Sequence, residues 1–238
     1  MIGIYIRLNV METPEFSRIK KAGQEVRVPF IDVLTKYPGN TIAGMGARFI
    51  DGVFFNVFGV FVIGYMTQTV RITRTDALLA VMAAAFVMIF TIPFFGRLSD
   101  RVGRARIYFW GSLATGLSSF AGFWLLDHSG GSVLLVWLAV IVPLGVLYAA
   151  IYGPEAALFA ELFDANVRYS GISFVYQFSG IFASGLTPII ATALWKLSGG
   201  KWWTVCAYVL FSALVSAWSA WAIDRRRGHA YEAAVSAP

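Results

Sequence analysis

The chain has 238 residues, of which 58% are hydrophobic and only 13% are charged. An ordinary soluble domain carries about 25% charged residues, so this composition excludes a chain that covers its whole surface with polar groups. The net charge of +6 does not indicate nucleic-acid binding, because the basic residues lie at the ends of apolar runs and form no interleaved patch. The single cysteine, Cys206, lies inside an apolar run, which excludes a disulfide framework and a cysteine metal site.

Six apolar runs predict membrane-spanning helices. A bilayer core of roughly 30 Å needs about 20 apolar residues in a helix, and a membrane barrel strand would show an alternation that these runs lack. The predicted spans are residues 41–66, 77–95, 107–126, 132–155, 169–194 and 202–223. The fold class is therefore predicted to be all-α and integral to a membrane, with residues 41–223 as the six-helix unit.

The regions outside this unit are polar and basic. Residues 1–8 form an apolar segment that is too short to span a bilayer, and a basic stretch follows to residue 40. With the start of the chain inside, fourteen of the 19 Lys and Arg residues fall on the inner side and four on the outer side. Because Lys and Arg accumulate in cytoplasmic loops, we predict a multi-pass plasma (inner) membrane protein with both termini, including the tail at 224–238, in the cytoplasm.

Two ionisable residues lie within the first span. Arg48 and Asp51 are three positions apart and therefore share a helix face. A charged side chain in hydrocarbon costs roughly 2.5–3.5 kcal/mol, so we expect this pair to meet a partner or an aqueous cavity. One interpretation is that Arg48 binds an anionic group of a substrate and Asp51 takes part in proton coupling. The alternative is a local ion pair that only holds helices together.

Polar side chains on the fourth span extend this candidate pathway. Tyr148, Tyr152 and Glu155 follow one another at i, i+4 and i+7 and so form one stripe. The two tyrosine hydroxyls could bind a polar solute, or the rings could anchor and pack the helix, while Glu155 is expected near the cytoplasmic end.

Further candidates are the amides of Asn56 and Gln177. Gln177 shares a face of the fifth span with Ser173 and Gly180, and Tyr176 lies beside it. Hydrogen bonding between helices explains such amides as well as contact with a substrate does.

The densest charge cluster, residues 96–106, separates the second and third spans and must form an aqueous turn. It resembles the G-x-L-x-D-R-x-G-R loop signature of the major facilitator superfamily, with Ala105 in place of the usual second basic residue. Further motifs make the chain similar to the metabolite:proton symporters, whose members carry organic acids, shikimate, betaine and similar solutes. These motifs lie at residues 10–16, 46–49, 152–157, 161–163 and 167–171. Asp164 departs from the proline that relatives usually have.

The resemblance implies that the chain is the C-terminal half of a transporter, helices seven to twelve in a 3+3 inverted repeat. Residues 1–40 would then be the end of helix six and the cytoplasmic central loop. The implied function is secondary transport of a small polar metabolite, an organic acid being favoured, by proton symport, with no cofactor or metal. Half a transporter has one wall of the site, so we do not expect it to transport alone. The chain would be a truncated transporter, or it would assemble with a separate N-terminal half or a second copy, besides its solute, protons and the lipid bilayer.

The resemblance also gives the charged turn a role as cytoplasmic gate. Its glycines would allow the reversal, Asp100 would cap a helix start and pair with an arginine, and Arg104 would pair across helices. A simpler interpretation is that the arginines only fix the orientation. The residues of the gate motif are Gly96, Arg97, Asp100, Arg101, Gly103 and Arg104, and those of the cytoplasmic loop motif are Glu161 and Arg168.

Two other functions stay open on the sequence. One is a membrane interaction protein that transports nothing. The other is an intramembrane serine enzyme, suggested by Ser118-Ser119 and Ser170-Gly171. A serine nucleophile needs a base within hydrogen-bond reach, and both histidines, His128 and His229, fall outside the predicted spans. We therefore do not expect an enzyme.

Overall fold

The structure is a computed structural model that describes the backbone of residues 29–235 and the side chains of residues 31–226. Over this range the chain forms seven helices and no strand, which confirms the all-α prediction. The short helix α1 covers Pro29–Lys36. The six long helices are α2 (Pro38–Val70), α3 (Arg74–Val102), α4 (Arg104–Asp127), α5 (Val133–Ala160), α6 (Arg168–Leu197) and α7 (Trp203–Val235). The predictions for residues 1–28, including the motif at 10–16, lie outside the described residues.

Each predicted span corresponds to one of the helices α2 to α7, and each helix extends beyond the apolar run at one or both ends. Helix α3 is the clearest case, since it continues to Val102 and carries charged residues of the 96–106 cluster on its last turns. Long charged side chains at a helix end can reach water while the backbone stays helical. The predicted aqueous turn is therefore reduced to one residue, Gly103, between α3 and α4.

Five of these helices are long and apolar enough to cross a membrane, and α4 falls outside that group. Its 24 residues reach about 36 Å at 1.5 Å per residue, so its length is sufficient. Its lower apolarity comes from small polar residues that are buried in the bundle. Three of them bond carbonyls of α4 itself: Ser112 to Tyr108 O at 2.7 Å, Ser118 to Thr115 O at 2.8 Å and Ser119 to Gly116 O at 2.6 Å.

Helix α4 packs between α5 and α7, while one of its faces, at Trp110, Leu117 and Trp124, stays exposed. Its glycines permit this close approach. A Cβ atom at Gly111 would come 3.0 Å from Ala150 of α5, and one at Gly116 would come 2.5 Å from the Cβ of Ala213 of α7. Small residues at such crossings let helix backbones pack directly, as is usual within membranes.

Two of the long helices are poorly covered by the rest of the described bundle. Helix α2 packs on α6 and α7, and α3 packs mainly on α5. In their most apolar segments α3 is only 11% buried and α6 only 22% buried, whereas α2, α5 and α7 reach 50–56%. The faces of α3 and α6 therefore have few partners within the described part of the chain.

Helices α2, α5 and α6 each contain π-helical turns in their middle. These lie at Val57–Phe61 in α2, Ile141–Leu147 in α5 and Ile181–Gly185 in α6, and α2 has a second one at Met66–Val70. The turn in α5 contains Pro143, which lacks the N–H that a regular helix would use. A π turn inserts an extra residue and changes which side chains face the bundle beyond it.

Candidate functional site

Helix α2 brings the predicted pair Arg48 and Asp51 together as an ion pair between Arg48 Nη1 and Asp51 Oδ2. The side chain of Asp51 is 5% exposed and that of Arg48 is 15% exposed. The pair therefore lies inside the bundle and does not face lipid.

A third ionisable residue, Glu155 of α5, completes the cluster. Its Oε1 atom lies 3.4 Å from Arg48 Nε, and its side chain is 1% exposed. We call Arg48, Asp51 and Glu155 the buried triad. It joins the first and fourth membrane-spanning helices of the unit, α2 and α5, which otherwise make few contacts with each other.

Three tyrosines surround the buried triad. The hydroxyl of Tyr148 donates a hydrogen bond to Asp51 Oδ1. The guanidinium carbon of Arg48 lies 4.5 Å from the ring centroid of Tyr176, a geometry in which an aromatic face attracts a cation. Tyr108 of α4 is fully buried and donates to the carbonyl of Ala47 at 2.8 Å, one residue before Arg48.

The charged groups of the buried triad face one another. Arg48 directs Nη1 at Asp51 and Nε at Glu155, and the hydroxyls of Tyr108 and Tyr176 also face Glu155. Buried polar groups in proteins are nearly always hydrogen-bonded, and these contacts follow that rule.

The other predicted site residues lie elsewhere. Tyr152 is 48% exposed, with its ring stacked on Tyr148 at 5.8 Å between centroids. Gln177 is exposed on α6, near Ser173. The amide of Asn56 donates to Gly52 O of its own helix at 2.8 Å.

The sequence interpretation included Glu155 in the stripe of the fourth span but expected it near the cytoplasmic end and gave it no role in binding, and it did not include Tyr108. Glu155 could have been found as a carboxylate inside an apolar run. For Tyr108 the sequence offers no comparable signal, because its role depends on the crossing of α4 and α2.

A second charge cluster lies at the α3–α4 turn. Arg104 binds Asp100 Oδ1 through Nη2 at 2.8 Å and also pairs with Glu161, which follows α5. We call Asp100, Arg104 and Glu161 the exposed triad, because their side chains are 58%, 31% and 34% exposed. Gly103 makes the turn with φ +112°, a conformation that favours glycine, and its N–H donates to Ser99 O at 2.9 Å.

Two expectations for this turn were wrong. Asp100 does not cap α4, since the N-cap is Gly103 and makes no side-chain bond. Gly96 does not form the reversal but lies within α3, where it lets Gly153 of α5 approach so closely that a Cβ on Gly153 would be 2.9 Å from Gly96 N. Sequence alone does not distinguish a turn glycine from a packing glycine.

The remaining motif residues lie on the exposed surface of α3 and at the start of α6. Arg97 and Arg101 are exposed on the open face of α3, apart from the exposed triad. Arg168 Nε donates to Phe163 O at 3.3 Å at the start of α6. In the same loop Asp164 accepts a hydrogen bond from Tyr37, which raises the pKa of that phenol to about 12 and ties the loop to the α1–α2 junction.

The fold and the buried charges define a multi-pass α-helical membrane protein with an ionisable cluster between its helices. A family model for the Major Facilitator Superfamily matches residues 44–237, and the chain belongs to that family. This confirms the resemblance seen in the sequence.

Among individual proteins, the chain is 29% identical to the shikimate transporter of Escherichia coli (strain K12), over 92% of the chain and 50% of that relative. It is 29% identical to the inner membrane metabolite transport protein YhjE of the same organism, over 82% of the chain and 44% of the relative. It is 25% identical to the proline/betaine transporter of that organism, over 90% of the chain and 44% of that relative. The chain thus spans about half the length of the curated relatives it matches. No solved structure matches the chain significantly.

Proposed function

We propose that this six-helix unit forms one half of a proton-coupled transporter for a small polar metabolite that carries a carboxylate. The observation that carries the proposal is Arg48, a guanidinium held inside the bundle between two carboxylates in a chain of this family. Ionisable residues within membrane spans commonly mark solute and proton pathways. Shikimate, proline and betaine, the solutes in the names of the relatives, all carry a carboxylate group.

In this proposal Arg48 binds the solute carboxylate by charge-assisted hydrogen bonds, and the acidic side of the cluster, including Asp51, provides the proton coupling. Tyr148 and Tyr176 fix the positions of Asp51 and Arg48 through the contacts described above. The exposed residues Tyr152 and Gln177 provide polar groups along the pathway. Asn56 is a further candidate, although its amide already donates a hydrogen bond to Gly52 O of its own helix.

The second wall of the pathway is a second six-helix unit, on the same or another polypeptide. The poorly buried faces of α3 and α6 support this part of the proposal, since their most apolar segments are only 11% and 22% buried among the described residues. The Lys and Arg distribution supports an inner-membrane location with the exposed triad on the cytoplasmic side. There the pairs of Arg104 with Asp100 and Glu161 would close the gate in one transport state.

The test is uptake of labelled shikimate by cells that express this chain together with the six-helix first half of the shikimate transporter. We expect uptake that rises with an imposed inward proton gradient and that loses this dependence in Asp51→Asn. Asp76→Asn is the matched control, because Asp76 lies in the first turn of α3, where it is bonded to Thr73, and does not belong to the buried triad.

Unchanged proton dependence in Asp51→Asn would reject its role in coupling. If the two halves assemble in the membrane and no labelled shikimate, proline or betaine enters, the transport proposal fails, and a membrane interaction protein becomes the better description.

A further inference from the structure

A cavity of about 370 Å³ lies between the last turns of α2 and α6, at the end of the bundle opposite the exposed triad. This volume is within the range of small-molecule sites, roughly 300–1,000 Å³. We call it the outer cavity. The described residues that line it come from α2 and α6 alone, so it is complete without a second six-helix unit.

The irregular path of α2 accompanies the outer cavity. Its π-helical turns at Val57–Phe61 and Met66–Val70 lie on either side of Gly64, which lines the cavity. A Cβ atom on Gly64 would meet no neighbouring atom within 4 Å, so the space beside this residue is empty. Because π turns occur frequently at functional sites, this segment is a candidate for ligand contact.

One wall of the outer cavity is aromatic and is held in place by contacts within the protein. The indole Nε1 of Trp195 donates to Gly200 O at 2.9 Å. The Trp195 ring meets the rings of Phe61 and Tyr65 edge to face, with 6.4 Å between centroids in both cases. A wall that is already ordered lowers the entropy cost of binding a flat or ring-shaped molecule.

The polar side of the outer cavity is positive. Lys196, in the last turn of α6, is the one charged side chain among the described residues of its lining. In the described part of the chain neither its ammonium nor the amide of Gln68 is bonded to another side chain. The hydroxyl of Thr192, in contrast, is bonded to Pro188 O at 2.7 Å. One cation beside one amide suits a monovalent anion.

We propose that the outer cavity is a second binding site, for a small carboxylate with a ring-shaped body. Lys196 pairs with the carboxylate, Gln68 donates a hydrogen bond to it, and the Trp195 wall packs on the ring. The choice of ligand class rests on the transport function proposed above. Gly64 follows Arg48 by sixteen residues on α2, which is roughly 24 Å in a helix, so one small solute cannot contact both sites. The outer cavity therefore holds the solute at a stage separate from its contact with Arg48.

The test is equilibrium binding of labelled shikimate and labelled benzoate to the full chain in phosphatidylcholine nanodiscs, which supply no anionic headgroup. We expect saturable binding without a second unit. Lys196→Gln should weaken it about tenfold or more, through loss of the charge-assisted contact. Gly64→Leu should weaken it similarly, because the new side chain occupies the empty space. The matched control is Lys201→Gln, which removes a lysine outside the lining and should stay within about twofold of wild type.

Absence of saturable binding for both probes would overturn the proposal, and so would equal weakening by Lys196→Gln and Lys201→Gln. Competition by choline as strong as that by unlabelled benzoate would also overturn it, since it would indicate a site for cations. The variant Arg48→Gln, Asp51→Asn, Glu155→Gln should keep the binding, and its loss there would assign the ligand to the buried triad. Binding at the outer cavity without uptake by the assembled transporter would reject the transport function alone, whereas uptake without this binding would reject the outer cavity alone.

Discussion

The buried triad and the exposed triad have the same composition in two different environments. In each triad one arginine pairs with an aspartate three or four residues away in the sequence. The same arginine also pairs with a glutamate that lies on α5 or directly after it. Water reaches all three side chains of the exposed triad, so its ion pairs are worth little to stability. The buried triad is shielded from water, so each of its charges carries a large desolvation free energy. Removing one charge therefore leaves its partners buried and uncompensated. Burial, and not the kind of residue, separates the two clusters.

The largest expected effect comes from removing the arginine of each triad. Arg48→Gln leaves two carboxylates buried without a cation, and should lower the free energy of unfolding by about 3–5 kcal/mol. Arg104→Gln removes an exposed partner and should change it by about 0–1 kcal/mol. The free energy can be measured by steric trapping in bicelles. Equal destabilisation by the two variants would contradict the comparison.

The second prediction separates a transport role of the buried triad from a structural one. The triple variant Arg48→Gln, Asp51→Asn, Glu155→Gln removes all the buried charges at once, so its stability should return to within about 1 kcal/mol of wild type. Uptake by the assembled transporter should stay absent, because no ionisable group remains for the solute or the proton. Recovery of uptake along with stability would reduce the triad to an element of helix packing.

A smaller effect is expected at the tyrosines that adjoin the buried triad. Tyr148→Phe removes the hydrogen bond to Asp51 and leaves a buried acceptor unpaired, with an expected loss of about 1–3 kcal/mol in the free energy of unfolding. Tyr152→Phe is the matched control on the next turn of α5. Its ring is half-exposed, and its replacement should stay within about 0.5 kcal/mol. A larger loss in Tyr152→Phe than in Tyr148→Phe would contradict the placement of these side chains.

The smallest effect is the response to salt. A double-mutant cycle on Asp100 and Arg104 should give a coupling of about 0.5 kcal/mol that fades near 1 M salt, where the screening length falls to about 3 Å. The same cycle on Arg48 and Asp51 should keep most of its value, because these side chains are only 15% and 5% exposed and buried pairs are screened much less. Loss of both couplings in high salt would show that ions have access to the buried triad.

Sequence patterns predicted six long helices correctly, because each apolar run forms one helix, and five of these are long and apolar enough to cross a membrane. They predicted the Arg48–Asp51 pair for a similar local reason, since spacing on one helix determines which side chains meet. The stripe of Tyr148, Tyr152 and Glu155 was less accurate. At 3.6 residues per turn, Glu155 lies about 20° to one side of Tyr148 and Tyr152 about 40° to the other, so only two of the three face inward.

Contacts between helices are the part that the sequence did not predict. The meeting of Glu155 with Arg48 depends on the relative depth of α5 and α2. The π-helical turn at Ile141–Leu147 affects which side chains of α5 face inward, and no simple period predicts it. Gly96 was interpreted as a turn residue because charged neighbours surround it, but its function depends on Gly153 of another helix.

The low apolarity of α4 has a consequence for how the protein is made. The other five long helices can each partition into the bilayer by their own composition, whereas α4 carries buried serines and glycines suited to helical neighbours and not to lipid. The helices that cover most of it, α5 and α7, come after it in the chain, although it also contacts α3, which precedes it. During synthesis α4 therefore emerges before the surfaces that stabilise it, and we expect it to settle in the membrane only when the C-terminal helix has been delivered. We therefore expect the packing of α4 to be completed late, although this helix lies in the middle of the sequence.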